Sequence, residues 1–128
     1  MKARLKNYRQ SPRKVRLVAN LIRGKSISRA LTVLSFLEKK SAVPIKKLIE
    51  SALSNAENQG VKKEGLVISD VQVDAGFSFI RYRARARGRA APIRRRSSHI
   101  NITLKEESDV SLEKSGRKTE KTLTRSNT

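Results

Sequence analysis

The sequence predicts an α+β fold: three helices packed on a small antiparallel sheet, with a long β-hairpin protruding from it. Three observations carry this. Apolar residues recur at helical period in three stretches between residues 11 and 60. They recur at period two over residues 67–74 and again over residues 100–104. Between those two runs arginine itself recurs at period two, and residues 77–105 hold neither Asp nor Glu. Two strands with one apolar face each need a covering layer, and the helices supply it.

Each element has a local reason. The opening ARLKNYR reads as a short strand. Ser11-Pro12 starts the first helix, because Ser can accept from a free first-turn N–H and Pro loses nothing at the first helical position. Val15, Val18, Ala19 and Ile22 then fall on one side, with Leu17 and Leu21 widening the stripe and Arg13, Arg16 and Arg23 opposite. Gly24 closes the helix in a left-handed cap. Ser28 can cap a second helix that turns Ala30, Leu31, Val33, Leu34 and Leu37 inward. Ser41 can cap a third, in which Ile45, Leu48, Ile49, Ala52, Leu53 and Ala56 give the strongest helical period of the chain. Pro44 sits in its first turn at little cost and Gly60 ends it. Val67, Val71 and Val73 face one way on the next strand, with Ile68, Asp70, Gln72 and Asp74 the other way. Ile100, Ile102 and Leu104 alternate with Asn101, Thr103 and Lys105 on the last strand. Gly88 to Pro92 supplies turn residues midway, so two arms of about ten to twelve residues project roughly 30–40 Å at about 3.3 Å each. Residues 1–105 should therefore form one globular domain that includes the hairpin at 77–99. Residues 106–128 are Ser, Thr, Lys and Glu with few apolar residues, too polar to order alone.

Composition excludes several functions. With no Cys and one His in 128 residues, disulfide frameworks, thiolate metal sites and His-based nucleophilic triads lose their usual parts. No catalytic residue, metal or cofactor is expected. Asp70 and Asp74 share a strand face but lack ligand company. No apolar run approaches the roughly 20 residues of a membrane span, and MKARLKNYRQ has no apolar signal core. No membrane partner is expected.

Charge points to a polyanion. The net charge is +19, and it is not spread evenly. Residues 1–29 carry +10 and residues 77–105 carry +9, both without an acid, while residues 30–76 and 106–128 are each neutral. A surface built for solubility alone would mix the signs. Nucleic-acid contact is therefore assigned to Arg4, Arg13, Lys14, Arg16, Arg23 and Lys25 of the first block. In the second block it falls on Arg81, Arg83, Arg85, Arg87, Arg89, Arg94, Arg95 and Arg96. Period two puts the arginines from 81 to 89 on one strand face, where their forks can pair with phosphates. The bland alternative is a solvated edge ribbon, which mixed Lys and acid would serve better. Tyr8 and Tyr82 could stack on bases, and Tyr8 serves equally well as a core ring. A lone His99 reads more naturally as a hydrogen-bonding or packing residue than as a catalyst.

These residues resemble a known family. SPRKVRLVANLIRGK (11–25), KKLIESALSNAENQ (46–59) and RARARGRAAPIRRRSSHI (83–100) look like the twenty-second protein of the bacterial large ribosomal subunit, over about residues 3–105. The resemblance implies a domain seated on large-subunit ribosomal RNA among neighbouring ribosomal proteins. It also implies a hairpin that threads inward beside the nascent polypeptide in the exit tunnel. By the match, Arg85, Ala86, Arg87, Gly88, Arg89, Ala90, Ala91 and Pro92 form the tunnel-lining tip. Arg95, Arg96, Ser98 and His99 belong to the return arm, which adds His99 to the expected RNA contacts. Ala84 stands where the family commonly has proline, and Pro92 falls on the return side. The implied role is architectural, in a single copy, on a cytoplasmic ribosome or that of an organelle. The competing reading is an architectural DNA-binding protein with a basic β-ribbon arm. An enzyme acting on RNA would need acids beside the basic face, and residues 77–105 have none.

Overall fold

A computed structural model of the chain describes residues 1–61 and 65–106. In chain order it runs β1 (Lys2–Tyr8), α1 (Pro12–Ile22), α2 (Ile27–Phe36), α3 (Ala42–Asn58), β2 (Leu66–Ala84), a 3-10 turn (Ala86–Gly88) and β3 (Ala90–Glu106). The sheet order is β1-β3-β2, antiparallel at both junctions, so the last strand is central and β1 and β2 are edges. α1 packs over β2, α3 over β1 and β3, and α2 against α3. This is the expected α+β arrangement.

The core follows the periodicities. Val15, Val18, Ala19 and Ile22 of α1 are buried, as are Ile45, Ile49, Ala52 and Ala56 of α3. They meet Ile100, Ile102 and Leu104 of β3, all fully buried. Each such aliphatic side chain contributes at most about 1.5–3 kcal/mol by leaving water. Gly24 adopts φ +73 and Gly60 φ +76, as left-handed helix ends require.

Several local expectations are corrected. Leu17 and Leu21 are 63% and 44% exposed, because α1 meets β2 along the narrow Val15–Ile22 stripe alone. The second helix begins after Ser26 rather than Ser28, and Ser26 makes no side-chain capping bond; its carbonyl accepts from Ala30 N–H. Backbone pairing of Gly24 and Lys25 with Ile68 fixes that corner, and Ile27 then enters the core. Leu31, Val33 and Leu37 are only half-buried, since α2 touches the core mainly through Ile27, Ala30 and Leu34. At the starts of α1 and α3, neither Ser11 nor Ser41 makes a side-chain capping bond; their carbonyls accept from the helix instead. Ile68 lies on the same side as Val71 and Val73, not opposite. Ile68 pairs with Leu104 and Asp70 with Thr103, so Ser69 is an extra residue that resets the alternation.

A second bulge marks where the hairpin leaves the core. Ala75 pairs with Ser98 and Ser78 with Arg96, which sets Gly76 and Phe77 against Ser97 alone. The Ser97 hydroxyl donates to the Phe77 carbonyl at 2.6 Å. A Cβ on Gly76 would come within 2.6 Å of Ser97 Oγ and 3.1 Å of His99 Nε2, so a larger residue there would have to push the Ser97 hydroxyl off its bond to Phe77. Beyond this root, pairing continues to Ala84–Ala90 with nearly every side chain exposed. At about 3.3 Å per residue the arm reaches roughly 35 Å past the root.

The hairpin turn itself is earlier and tighter than Gly88–Pro92. Pro92 pairs with Tyr82 inside the ladder, and the chain reverses between Arg85 and Arg89, whose N–H and C=O meet at 2.8 Å. Arg87 and Gly88 are both left-handed, at φ 58 and φ 68. Of the five period-two arginines, only Arg81 and Arg83 therefore sit in strand β2. Directly opposed residues share a face. Arg81 and Arg83 stand with Arg95 on one side, and Arg94 and Arg96 with Ile80 and Tyr82 on the other. The ribbon is basic on both faces, not on one. Of the polar segment expected at 106–128, Glu106 ends β3 and the remainder lies outside the described residues.

Candidate nucleic-acid interface

α1 does not present its three arginines as one free face. At about 100° per residue, Arg16 and Arg23 lie only about 80–100° from the centre of the buried stripe, within reach of the outer edge of β2. Arg16 donates to the Val73 carbonyl through Nε at 3.1 Å and Nη2 at 2.8 Å. Arg23 Nη2 donates to the Val71 carbonyl at 2.6 Å, and its Nε lies 3.3 Å from the Asp70 carboxylate. Val71 and Val73 are alternate residues on an edge strand, so their outward carbonyls would otherwise need water. Two guanidinium groups thus seal an edge, and Arg13 remains turned outward. Arg16→Ala should accordingly destabilise the protein by about 1–2 kcal/mol, from loss of a charged donor to a backbone acceptor. Arg13→Ala should stay within about 0.5 kcal/mol. Urea unfolding midpoints of the two variants measure the difference.

The principal basic feature is a recess at the root of the hairpin, with a volume of about 880 Å³. Arg9 and Lys14 line it from the β1–α1 junction and Lys40 from the α2–α3 connection. Arg81, Arg94, Arg95 and Arg96 line it from the hairpin, with Phe79, Gln10, Ser11 and Ser97 between them. Cations converging from three chain segments, with no carboxylate among the described lining residues, create a positive potential that favours a polyanion. Tyr8 fixes part of this wall. Its ring packs against the core, its hydroxyl donates to the Lys40 carbonyl at 3.2 Å, and burial raises the phenol above its ordinary value.

Other expected residues fall elsewhere. Arg4 lies across the sheet, lining a shallow depression of about 430 Å³ with Lys2, Gln72, Asn101 and Thr103. Lys25 is half-buried, and its carbonyl accepts from Ile68. Arg83, Arg85, Arg87 and Arg89 are exposed along the outer hairpin and its turn. His99 sits between the bulges of β1 and β2, where its Nδ1 accepts the Asn7 N–H at 3.0 Å. Asn7 is itself left-handed at φ 55, so the imidazole secures a strained bulge, a packing role. Arg9 and Lys40 were not singled out from the sequence. Arg9 stood inside the first basic block, but Lys40 belongs to a neutral stretch and only the tertiary fold brings it to the recess.

The comparisons with known proteins agree with the resemblance. A family model described as ribosomal protein L22p/L17e matches residues 3–105. A large ribosomal subunit protein uL22 from Herpetosiphon aurantiacus is 49% identical over 102 residues, covering 79% of this chain and 90% of that protein. The protein of the same name from Buchnera aphidicola is 50% identical over 103 residues, covering 80% and 83%. The one from Bdellovibrio bacteriovorus is 47% identical over 107 residues, covering 83% and 97%.

Proposed function

The chain belongs to the ribosomal protein L22p/L17e family, and from that premise we propose that it clamps large-subunit ribosomal RNA and lends its hairpin to the wall of the nascent-peptide exit tunnel. As a member it is a structural, non-enzymatic protein of the cytoplasmic large ribosomal subunit. The observation that carries the finer reading is the recess at the hairpin root, lined by seven cations and, among the described residues, by no acid, and continued by exposed arginines along the arm. Residues 1–105 act as one unit, with the helices and sheet seated against RNA and the hairpin as a probe into it.

Phosphate contacts of this kind fix position without reading sequence. Strands of RNA that converge around a thin ribbon repel one another, and arginines on both ribbon faces offset that repulsion on both sides. The same clamp supports subunit assembly, since it holds RNA segments that are distant in sequence. At the tip, Ala84, Ala86, Ala90 and Ala91 are small. A wall built from them leaves volume for a passing polypeptide, while Arg85, Arg87 and Arg89 reach RNA beside it. The expected partners are large-subunit ribosomal RNA, neighbouring ribosomal proteins and the nascent chain.

Cells expressing a tagged copy provide the test. The tagged chain should sediment with large subunits in a low-salt sucrose gradient, at about one copy per subunit. Its recovery only at the top of that gradient would remove the clamp reading.

A further inference from the structure

Resting on the RNA-clamp reading, we infer that the recess at the hairpin root holds an unpaired nucleotide, its base stacked on Phe79 and its flanking phosphates between the two basic walls. Phe79 is 46% exposed, lines the recess and pairs directly with Arg95 across the hairpin. Phe77, 67% exposed, meets it edge-on with ring centroids 4.8 Å apart and planes at 79°. An edge-on contact occupies at most one face of a ring, so Phe79 is oriented by its neighbour and still keeps a π-face to offer. Two phenylalanines left in water beside a cluster of cations gain nothing from phosphate. They gain from a base.

A double helix has no base face to give, because each base is already stacked and paired. An unpaired nucleotide has one, and RNA-binding proteins take such bases on aromatic rings and arginine planes. The volume of about 880 Å³ falls in the range of sites that take small ligands. Arg9 and Lys14 on one side and Arg95 on the other then meet the phosphates before and after it. Gln10 also lines the recess, and its shielded Oε1 has no hydrogen-bond partner within the protein. An exocyclic amino group of a base supplies the missing donor.

Zero-length ultraviolet cross-linking of assembled large subunits that contain the full chain, followed by nuclease digestion and mass spectrometry, tests this, beside affinity measurements on free large-subunit ribosomal RNA. The expected adduct is a nucleotide on Phe79, at an RNA position that chemical probing of the free RNA reports as unpaired. Phe79→Leu keeps an apolar side chain but removes the π-face. It should lower RNA affinity by about tenfold, within the range of one base–aromatic stack. The slope of log affinity against log salt should be unchanged, because no charge is lost. Arg95→Gln should instead reduce that slope by about 0.7–0.9. Adducts only on other residues, an adduct to a paired nucleotide, or unaltered affinity in Phe79→Leu each overturn the nucleotide pocket and leave the clamp standing. A recess filled by an acidic protein segment in the subunit would give the first of these results. No adduct anywhere together with no RNA binding would instead remove the clamp itself.

Discussion

Raising monovalent salt from 50 to 200 mM should weaken the complex of this chain with large-subunit ribosomal RNA by about three to five decades, given roughly six to ten neutralised phosphates. Seven cations line the recess, and four further arginines follow along the outer hairpin, so the protein has enough groups to reach that number. The sign follows from counterions. Each phosphate paired with a side chain releases condensed cations, and added salt opposes the release. Filter binding or fluorescence anisotropy across the salt range gives the slope directly. A slope near zero would mean that contacts other than phosphate pairing hold the complex.

The second large effect comes from shortening the hairpin. Phe79 pairs with Arg95, so residues 80–94 can be replaced by a two-residue Asn-Gly turn that suits a tight hairpin. The replacement removes Arg81, Arg83, Arg85, Arg87, Arg89 and Arg94. No core residue lies in that stretch, and the pairs Val73–Ile100, Val71–Ile102 and Ile68–Leu104 remain. The shortened protein should melt within a few degrees of the parent by calorimetry. Its salt slope should fall by about four to five, from roughly 0.7–0.9 per lost contact. Full unfolding on truncation would show that the arm, and not the helix-covered sheet, nucleates the structure.

Features of this fold differ in how far the sequence discloses them. The helices and their buried stripes follow from the positions of Val15, Val18 and Ile22 or of Ile45, Ile49, Ala52 and Ala56, because helical period alone decides which residues share a face. The last strand is equally plain from Ile100, Ile102 and Leu104. Alternation fails at Ser69 and at Gly76–Phe77, where one inserted residue reverses the faces and nothing in the local pattern announces it. The arginines of α1 illustrate a second limit. A helical wheel places Arg16 and Arg23 off the apolar stripe, yet it cannot tell that a sheet edge with open carbonyls at Val71 and Val73 runs beside them.

The basic recess shows a third limit. Charge blocks identify the hairpin and the first 29 residues as contact surfaces, but three segments make the recess, and Lys40 comes from a stretch with no net charge. Phe79 is inconspicuous in the sequence for a related reason. One aromatic among arginines reads as part of a ribbon until its exposure and its edge-on neighbour are known. Gly88 and Pro92 suggest a reversal between them, whereas the turn lies earlier because Arg87 adopts the left-handed conformation usually left to glycine.

The most direct test of the whole account places the tip beside the nascent chain. A stalled polypeptide carrying a photo-cross-linker at successive positions, on ribosomes containing this protein, should label Arg85–Arg89 from a narrow window of chain positions. The window should lie where an arm of about 35 Å can reach from the RNA-bound root. Labelling of the helix-covered sheet alone, or of no position on the hairpin from any point of the nascent chain, would contradict the tunnel-wall role.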